Sequence, residues 1–157
     1  MGTPLLVALR LIDKDGGACC GRPMMLSGNF EGAEKLIDAN KESILKSEAE
    51  ILVTSCPICY KIFRKQYNLP IKVMHHSQFI LDLVNTGRIS INKSATRVVY
   101  HDPCELGRGS KVYLEPRELL NHAVDLVSSP YEKENALCCG GSLGNIMLGY
   151  EEKDKIN

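Results

Sequence analysis

The sequence predicts an α/β fold, a mostly parallel sheet flanked by helices. Three observations lead there. Short apolar runs ("ILVTS" at 51–55, "IKVMH" at 71–75, "RVVYH" at 97–101, "VDLVS" at 124–128) have strand length. Segments with helical periodicity separate them, an alternation that suits strands joined by crossover helices. Cysteines fall where strands hand over to helices: Cys56 closes "ILVTSC" and Cys104 closes "RVVYHDPC". In open α/β sheets that carboxyl edge is where chemistry gathers.

Taken in order, residues 5–13 (LLVALRLID) read as a helix ending at Gly16–Gly17, and the Cys19–Cys20 pair follows. Asn29 is a natural cap for a helix to about Ser47, with Leu36, Ile37, Ile44 and Leu45 on one face. The run 51–55 reads as a buried strand. Pro57 opens a helix to Tyr67, because its missing N–H costs nothing at the first helical position, and Asn68-Leu69-Pro70 stops it. A strand at 71–75 and a helix Ser77–Asn85 come next. The polar link "TGRISINKSAT" leads to a third strand at 97–101; "PRELLNHA" starts a helix, and 124–128 is a fourth strand. The approach "SSPYEKENALCC" is a loop, Gly144 onward reads as helix, and "GYEEKDKIN" as a charged end or the stump of a longer helix.

Composition narrows the function classes. Apolar residues make up 44% of the 157 and charged residues 24%. The 19 Lys plus Arg balance 19 Asp plus Glu, so no global field points to nucleic acid or an anionic membrane surface. The apolar runs are too short for a transmembrane segment, and the N-terminus lacks the basic start of a signal peptide. Gly2 begins like a myristoylation site, but Leu6 stands where Ser or Thr is required. Seven cysteines, an odd number in close pairs, argue for a reducing cytoplasmic setting with metal or redox chemistry rather than a disulfide framework.

Those cysteines are Cys19, Cys20, Cys56, Cys59, Cys104, Cys138 and Cys139. In "SCPICYKIF", Cys56 takes the cap position and Cys59 the third helical position, both beside free N–H groups at the positive helix end, which favours thiolate. A lone C-x-x-C has three readings, metal ligands first, then a thioredoxin-like redox pair or two buried thiols. The doubled CC pairs, "GACCGRP" and "LCCGGS", add weight to metal. Gly16, Gly17, Gly21, Gly140 and Gly141 permit positive φ and leave room beside the sulfurs, or are simply turn glycines. His75 and His76 end a strand near this face as ligands, proton carriers or backbone partners. His101 and Asp102 precede Cys104, to tune its sulfur or make the turn. Arg22 and Arg108 stand beside cysteine motifs to offset charge, or in solvent.

Spacing completes the pattern: 35 residues separate Cys20 from Cys56, and 33 separate Cys104 from Cys138. With "ACCGRP…SGN", "LVTSCPICY", "VMHHSQFI", "YHDPCELGR", "EPRELL" and "ALCCGGSLGN", the chain resembles the cysteine-rich CCG-domain family. Within it, the likeness is to the B and D subunits of heterodisulfide reductase more than to the glycolate or lactate oxidase side. The resemblance implies parts of two pseudo-repeated units: residues 1–95 as the later part of one and 96–157 as the earlier part of the next. An opening cysteine is expected ahead of Met1 and a closing C-x-x-C beyond Asn157.

It further implies a [4Fe–4S] cluster, of an unusual non-cubane kind in this family. Cys19, Cys20, Cys56 and Cys59 match four of five ligands of the first site; Cys104, Cys138 and Cys139 match three of the second, incomplete one. Glu105 departs from relatives that carry His there. The expected role is an electron-transfer or disulfide-reducing module of an iron–sulfur oxidoreductase. Expected partners are flavin or iron–sulfur subunits, with membrane association only through them; no residue is assigned to catalysis. Structural zinc on the four first-site thiols, with or without Cys104, is the alternative. Thiol–disulfide exchange at Cys56 and Cys59 is a third reading.

Overall fold

Asn29 opens the longest helix as its sequence position demands: its side chain accepts from the Gly32 N–H at 2.9 Å and starts α2 (Phe30–Lys46). The computed structural model describes residues 19–140. The expected helices at 5–13 and from Gly144, with Gly16, Gly17 and Gly141, lie outside the described residues. Ahead of α2 is a short helix, α1 (Arg22–Leu26), set off by Gly21 at φ 88° and Pro23 in its first turn. Then follow β1 (Ile51–Thr54), α3 (Pro57–Gln66), β2 (Lys72–His75) and α4 (His76–Asn85). The second half holds β3 (Arg97–Val99), a single turn α5 (Gly107–Ser110), α6 (Leu114–Ala123), β4 (Asp125–Val127) and a 3-10 turn at Lys133–Asn135.

The strands pair in parallel, as predicted, but as two separate ribbons. β1 lies against β2 with Ile51 opposite Lys72 and Thr54 opposite His75, and α3 makes the crossover. β3 lies against β4 with Arg97 opposite Asp125, and α5 and α6 fill the connection. Each ribbon therefore sends the end of its first strand into a cysteine-bearing turn. α1 and α5, too short for helical periodicity to reveal, are additions to the sequence reading. β1 is less enclosed than expected, since only Leu52 is buried.

Side chains at 33, 37, 40 and 44 form the inward stripe of α2; Ala33 and Ile44 are buried, while Leu45 turns out to solvent. The expected face was thus placed one residue too wide. One core collects Cys20, Ile44, Leu52, Ile62 and Tyr67. A second collects Tyr60, Leu106 and Val112, which come from both halves of the chain. Val73 packs against both clusters. Polar ties run alongside: Lys61 Nζ meets Glu105 Oε2 at 2.5 Å, and Gln78 Nε2 donates to Glu115 Oε1 at 2.8 Å.

Candidate functional site

Cys56 caps α3 and Pro57 follows at the first helical position, as the sequence predicts. The Cys56 side chain makes no capping bond, which leaves its sulfur available. Two contacts hold the strand end that presents it. The Cys56 N–H donates to Thr54 Oγ1 at 3.3 Å, and the His75 ring contacts the Ser55 carbonyl through Nε2 at 3.1 Å. A carbonyl only accepts, so Nε2 carries the proton; Nδ1 then accepts from Ser77, whose Oγ is 2.8 Å away. Burial, and then His76, lower the His75 pKa and keep that ring neutral. His75 is therefore a structural strut of the Cys56 turn, with both ring nitrogens occupied.

The loop carrying Cys19 and Cys20 meets this turn. The Cys20 thiol engages Cys59 and Cys19, and Cys59 also engages Cys56. Thiols from loops separated by 35 residues thus interact pairwise, Cys19 with Cys20, Cys20 with Cys59 and Cys59 with Cys56. Among the described residues, no three His, Cys, Asp or Glu side chains converge tightly enough to hold a single metal ion.

The electrostatics of these thiols correct one expectation, at Cys59. The sequence favours thiolate at the helix start, on Cys56 and Cys59. In the structure the depressed thiol is Cys20: the Cys59 hydrogen bond, helped by the Arg22 N–H, brings it down to about 6 against the opposing effect of burial. Cys59 goes the other way, raised by that same bond to Cys20 and by burial. It lies between two sulfurs, so it keeps its proton and donates it. For Cys59 the helix end is outweighed by its thiol neighbours and by burial.

Two residues the sequence reading passed over hold the loop from beneath. Tyr67, fully buried, donates its hydroxyl to the Cys20 carbonyl at 3.3 Å. Asn40 donates to the Cys19 carbonyl at 3.1 Å and to the Tyr67 hydroxyl at 2.9 Å. Burial raises the Tyr67 pKa, and the nearby sulfurs add to this, so the phenol stays a donor. A signal for Asn40 existed: it is the one polar position in the stripe 33, 37, 40, 44.

The second set is looser. Cys104 engages Cys138, while Cys139 is exposed. Burial, then the neighbouring Cys138 thiol and Glu105, raise the Cys104 pKa, with Arg108 opposing. Arg108, expected beside a cysteine motif or in solvent, both offsets that rise and donates to the carbonyls of Ala136 and Glu134, just before Cys138. Asp102 does not reach Cys104. Its carboxylate, 2% exposed, takes two 2.6 Å bonds from Arg117 and one of 2.7 Å from the Lys133 N–H. Burial pushes that carboxyl up, but those donors outweigh it and hold the pKa low. Gly21 at φ 88° and Gly140 at φ 70° do adopt the left-handed region expected of glycines beside the sulfurs.

Comparison with known proteins follows the cysteines. The CCG cysteine-rich domain profile matches residues 7–64 and again 98–155. The chain is 33% identical over 141 residues to the B subunit of the fumarate reductase (CoM/CoB) of Methanothermobacter marburgensis, covering 88% of this chain and 28% of that one. It is 31% identical over 143 residues to the D subunit of the dihydromethanophenazine:CoB–CoM heterodisulfide reductase of Methanosarcina barkeri, covering 83% and 35%. It is 29% identical over 136 residues to a probable iron–sulfur-binding oxidoreductase, FadF, of Bacillus subtilis, covering 83% and 19%. The chain therefore spans only about a fifth to a third of the length of these curated relatives. No solved structure matches. No helix among the described residues is long and apolar enough to cross a membrane.

Proposed function

Because the chain belongs to the CCG cysteine-rich domain family, we propose that it is an iron–sulfur electron-transfer module of a larger oxidoreductase, with a heterodisulfide reductase-like, disulfide-reducing role. The observation that carries this is the contact between Cys20 and Cys59, which joins two sequence-distant loops at their sulfurs. The donor set fits the group: four thiols, one of them readily ionised, with backbone N–H groups at the Cys20 sulfur. Cys19, Cys20, Cys56 and Cys59 would hold a first [4Fe–4S] cluster; Cys104, Cys138 and Cys139 would contribute to a second. A bound cluster supplies one-electron chemistry at a potential set by its ligands, hydrogen bonds and solvent exposure.

The chain's own residues supply the frame. His75 fixes the Ser55 carbonyl and with it the turn of Cys56. Asn40 and Tyr67 fix the Cys19–Cys20 loop, and Asp102 and Arg108 hold the approach to Cys138. Partner proteins carrying flavin or further iron–sulfur centres would exchange electrons with it, in keeping with the relatives' names as parts of multi-subunit reductases. The test is anaerobic purification and reconstitution with iron and sulfide. A brown chain with matched iron and acid-labile sulfide is expected, and its loss in Cys59→Ser. A colourless chain holding neither would overturn the reading, and zinc without sulfide would replace it with a structural metal site.

A further inference from the structure

Asn40 is out of place on hydrophobic grounds. It occupies the inward stripe of α2 between Ile37 and Ile44, where an aliphatic side chain would bury more apolar surface. Its amide has two N–H donors and both are used, one on the Cys19 carbonyl and one on the Tyr67 hydroxyl. Tyr67 has one O–H donor, used on the Cys20 carbonyl. The count closes with no donor left over. The result is a short chain of neutral hydrogen bonds, Asn40 to Tyr67 to Cys20, with a branch to Cys19.

Pinning a carbonyl also fixes the next N–H. The peptide group is planar and trans, so its C=O and N–H point to opposite edges. With the Cys19 and Cys20 carbonyls held down toward α2 and Tyr67, the N–H groups of Cys20 and Gly21 are turned to the other side. Gly21, at φ 88°, then curls the chain so that the Arg22 N–H comes back toward the Cys20 sulfur. The Cys20 and Arg22 N–H groups both act on that sulfur and help to draw its pKa down.

We propose that Asn40 and Tyr67 are positioning residues: a latch, built on the buried Tyr67, that orients the Cys19–Arg22 backbone so that the Cys20 and Arg22 N–H dipoles face the Cys20 sulfur. The latch acts in the cofactor-free chain. Its electrochemical consequence rests on the iron–sulfur reading above. Hydrogen bonds to ligand sulfur favour the more negative, reduced state and so raise the potential. Releasing the latch lets those dipoles swing away and moves the midpoint to more negative values.

The variants are Tyr67→Phe, which keeps the ring packed edge-on against Phe63 at 4.6 Å, Asn40→Leu, and the two combined. Asn29→Ala, which removes the α2 cap at Gly32, is the control for general destabilisation. In the reduced, cofactor-free full chain, amide exchange at Cys20 and Arg22 is expected to be about two- to tenfold faster in either latch variant, the range that one lost hydrogen bond allows. The control should leave it unchanged. After reconstitution, both latch variants should show a more negative midpoint in an EPR-monitored titration, and the double variant should shift less than the sum.

Wild-type exchange at Cys20 and Arg22 in the latch variants would overturn the proposal. So would a control that reproduces their exchange rates and midpoint shift. If the wild-type chain takes up no iron and sulfide, the cluster reading alone falls, and the exchange rates still decide the latch.

Discussion

Asp102→Ala removes the carboxylate that ties the end of β3 to the segment leading to Cys138. Three bonds are lost together: two from Arg117 at 2.6 Å and one from the Lys133 N–H at 2.7 Å. Removing one member of a buried, hydrogen-bonded ion pair costs about 3–5 kcal/mol, because the partner charge stays behind. Here the Arg117 side chain is 11% exposed and keeps the Tyr113 carbonyl at 3.0 Å and Glu132 at 3.4 Å. It also lies over the Tyr100 ring. The lower end, about 3 kcal/mol, therefore applies. For a chain of this size that is a fall of about 6–12 °C in Tm, read by circular dichroism on the reduced protein at neutral pH.

The pH dependence gives a second check. The Asp102 pKa is held below its ordinary 3.8 in the folded state. Its contribution is thus complete above the unfolded value and is lost as pH falls through the folded one. The gap between wild type and Asp102→Ala should close as the pH is lowered from about 5 toward 3. A loss under about 1 kcal/mol at neutral pH, the scale of an exposed pair, would refute the reasoning. A gap that stays constant down the acid limb would do the same.

Two further outcomes follow from single side chains. His75→Ala strips the buried partner from the Ser55 carbonyl and the Ser77 hydroxyl, and should cost about 2–3 kcal/mol in denaturant unfolding; a loss under about 0.5 kcal/mol, surface-substitution scale, would show that the strut is dispensable. Tyr113→Phe removes a buried hydroxyl that has no hydrogen-bond partner among the described residues, so the variant should be as stable as wild type or up to about 1 kcal/mol more stable. A clear loss of stability on thermal melting would mean that the hydroxyl has a partner after all.

What could be read in advance was local. Pro57 after Cys56, and Asn29 ahead of an amphipathic run, each fix a helix start within a few residues, and both starts stand where expected. Asn68, with φ 46°, stops α3 just after Tyr67, again by local backbone preference. Parallel pairing followed from strand–helix alternation. The remainder depends on partners far along the chain. Asp102 finds Arg117 and Lys133 rather than its neighbour Cys104, and Arg108 finds carbonyls 26 and 28 residues on. The ionisation order of Cys20 and Cys59 is set by their mutual contact, which no helix-end rule encodes.

The two cysteine sets share a framework and differ in their fastenings. In each half a parallel ribbon delivers a cysteine just past its first strand, and a second loop brings further sulfur to it. The first loop is held by neutral donors, an amide and a phenol, which add no net charge beside Cys20. The second is held by ions: Asp102 with Arg117, Arg108 on backbone carbonyls, and Glu105 with Lys61. Neutral bonds are indifferent to salt, whereas partly exposed charges are screened by it. The sulfurs answer accordingly. Cys20 is pulled toward the anion by hydrogen bonds, while Cys104 is pushed away from it by burial and neighbouring negative charge. A repeated backbone plan therefore does not give two equivalent sulfur environments; the side chains that close each loop decide how readily its thiols ionise.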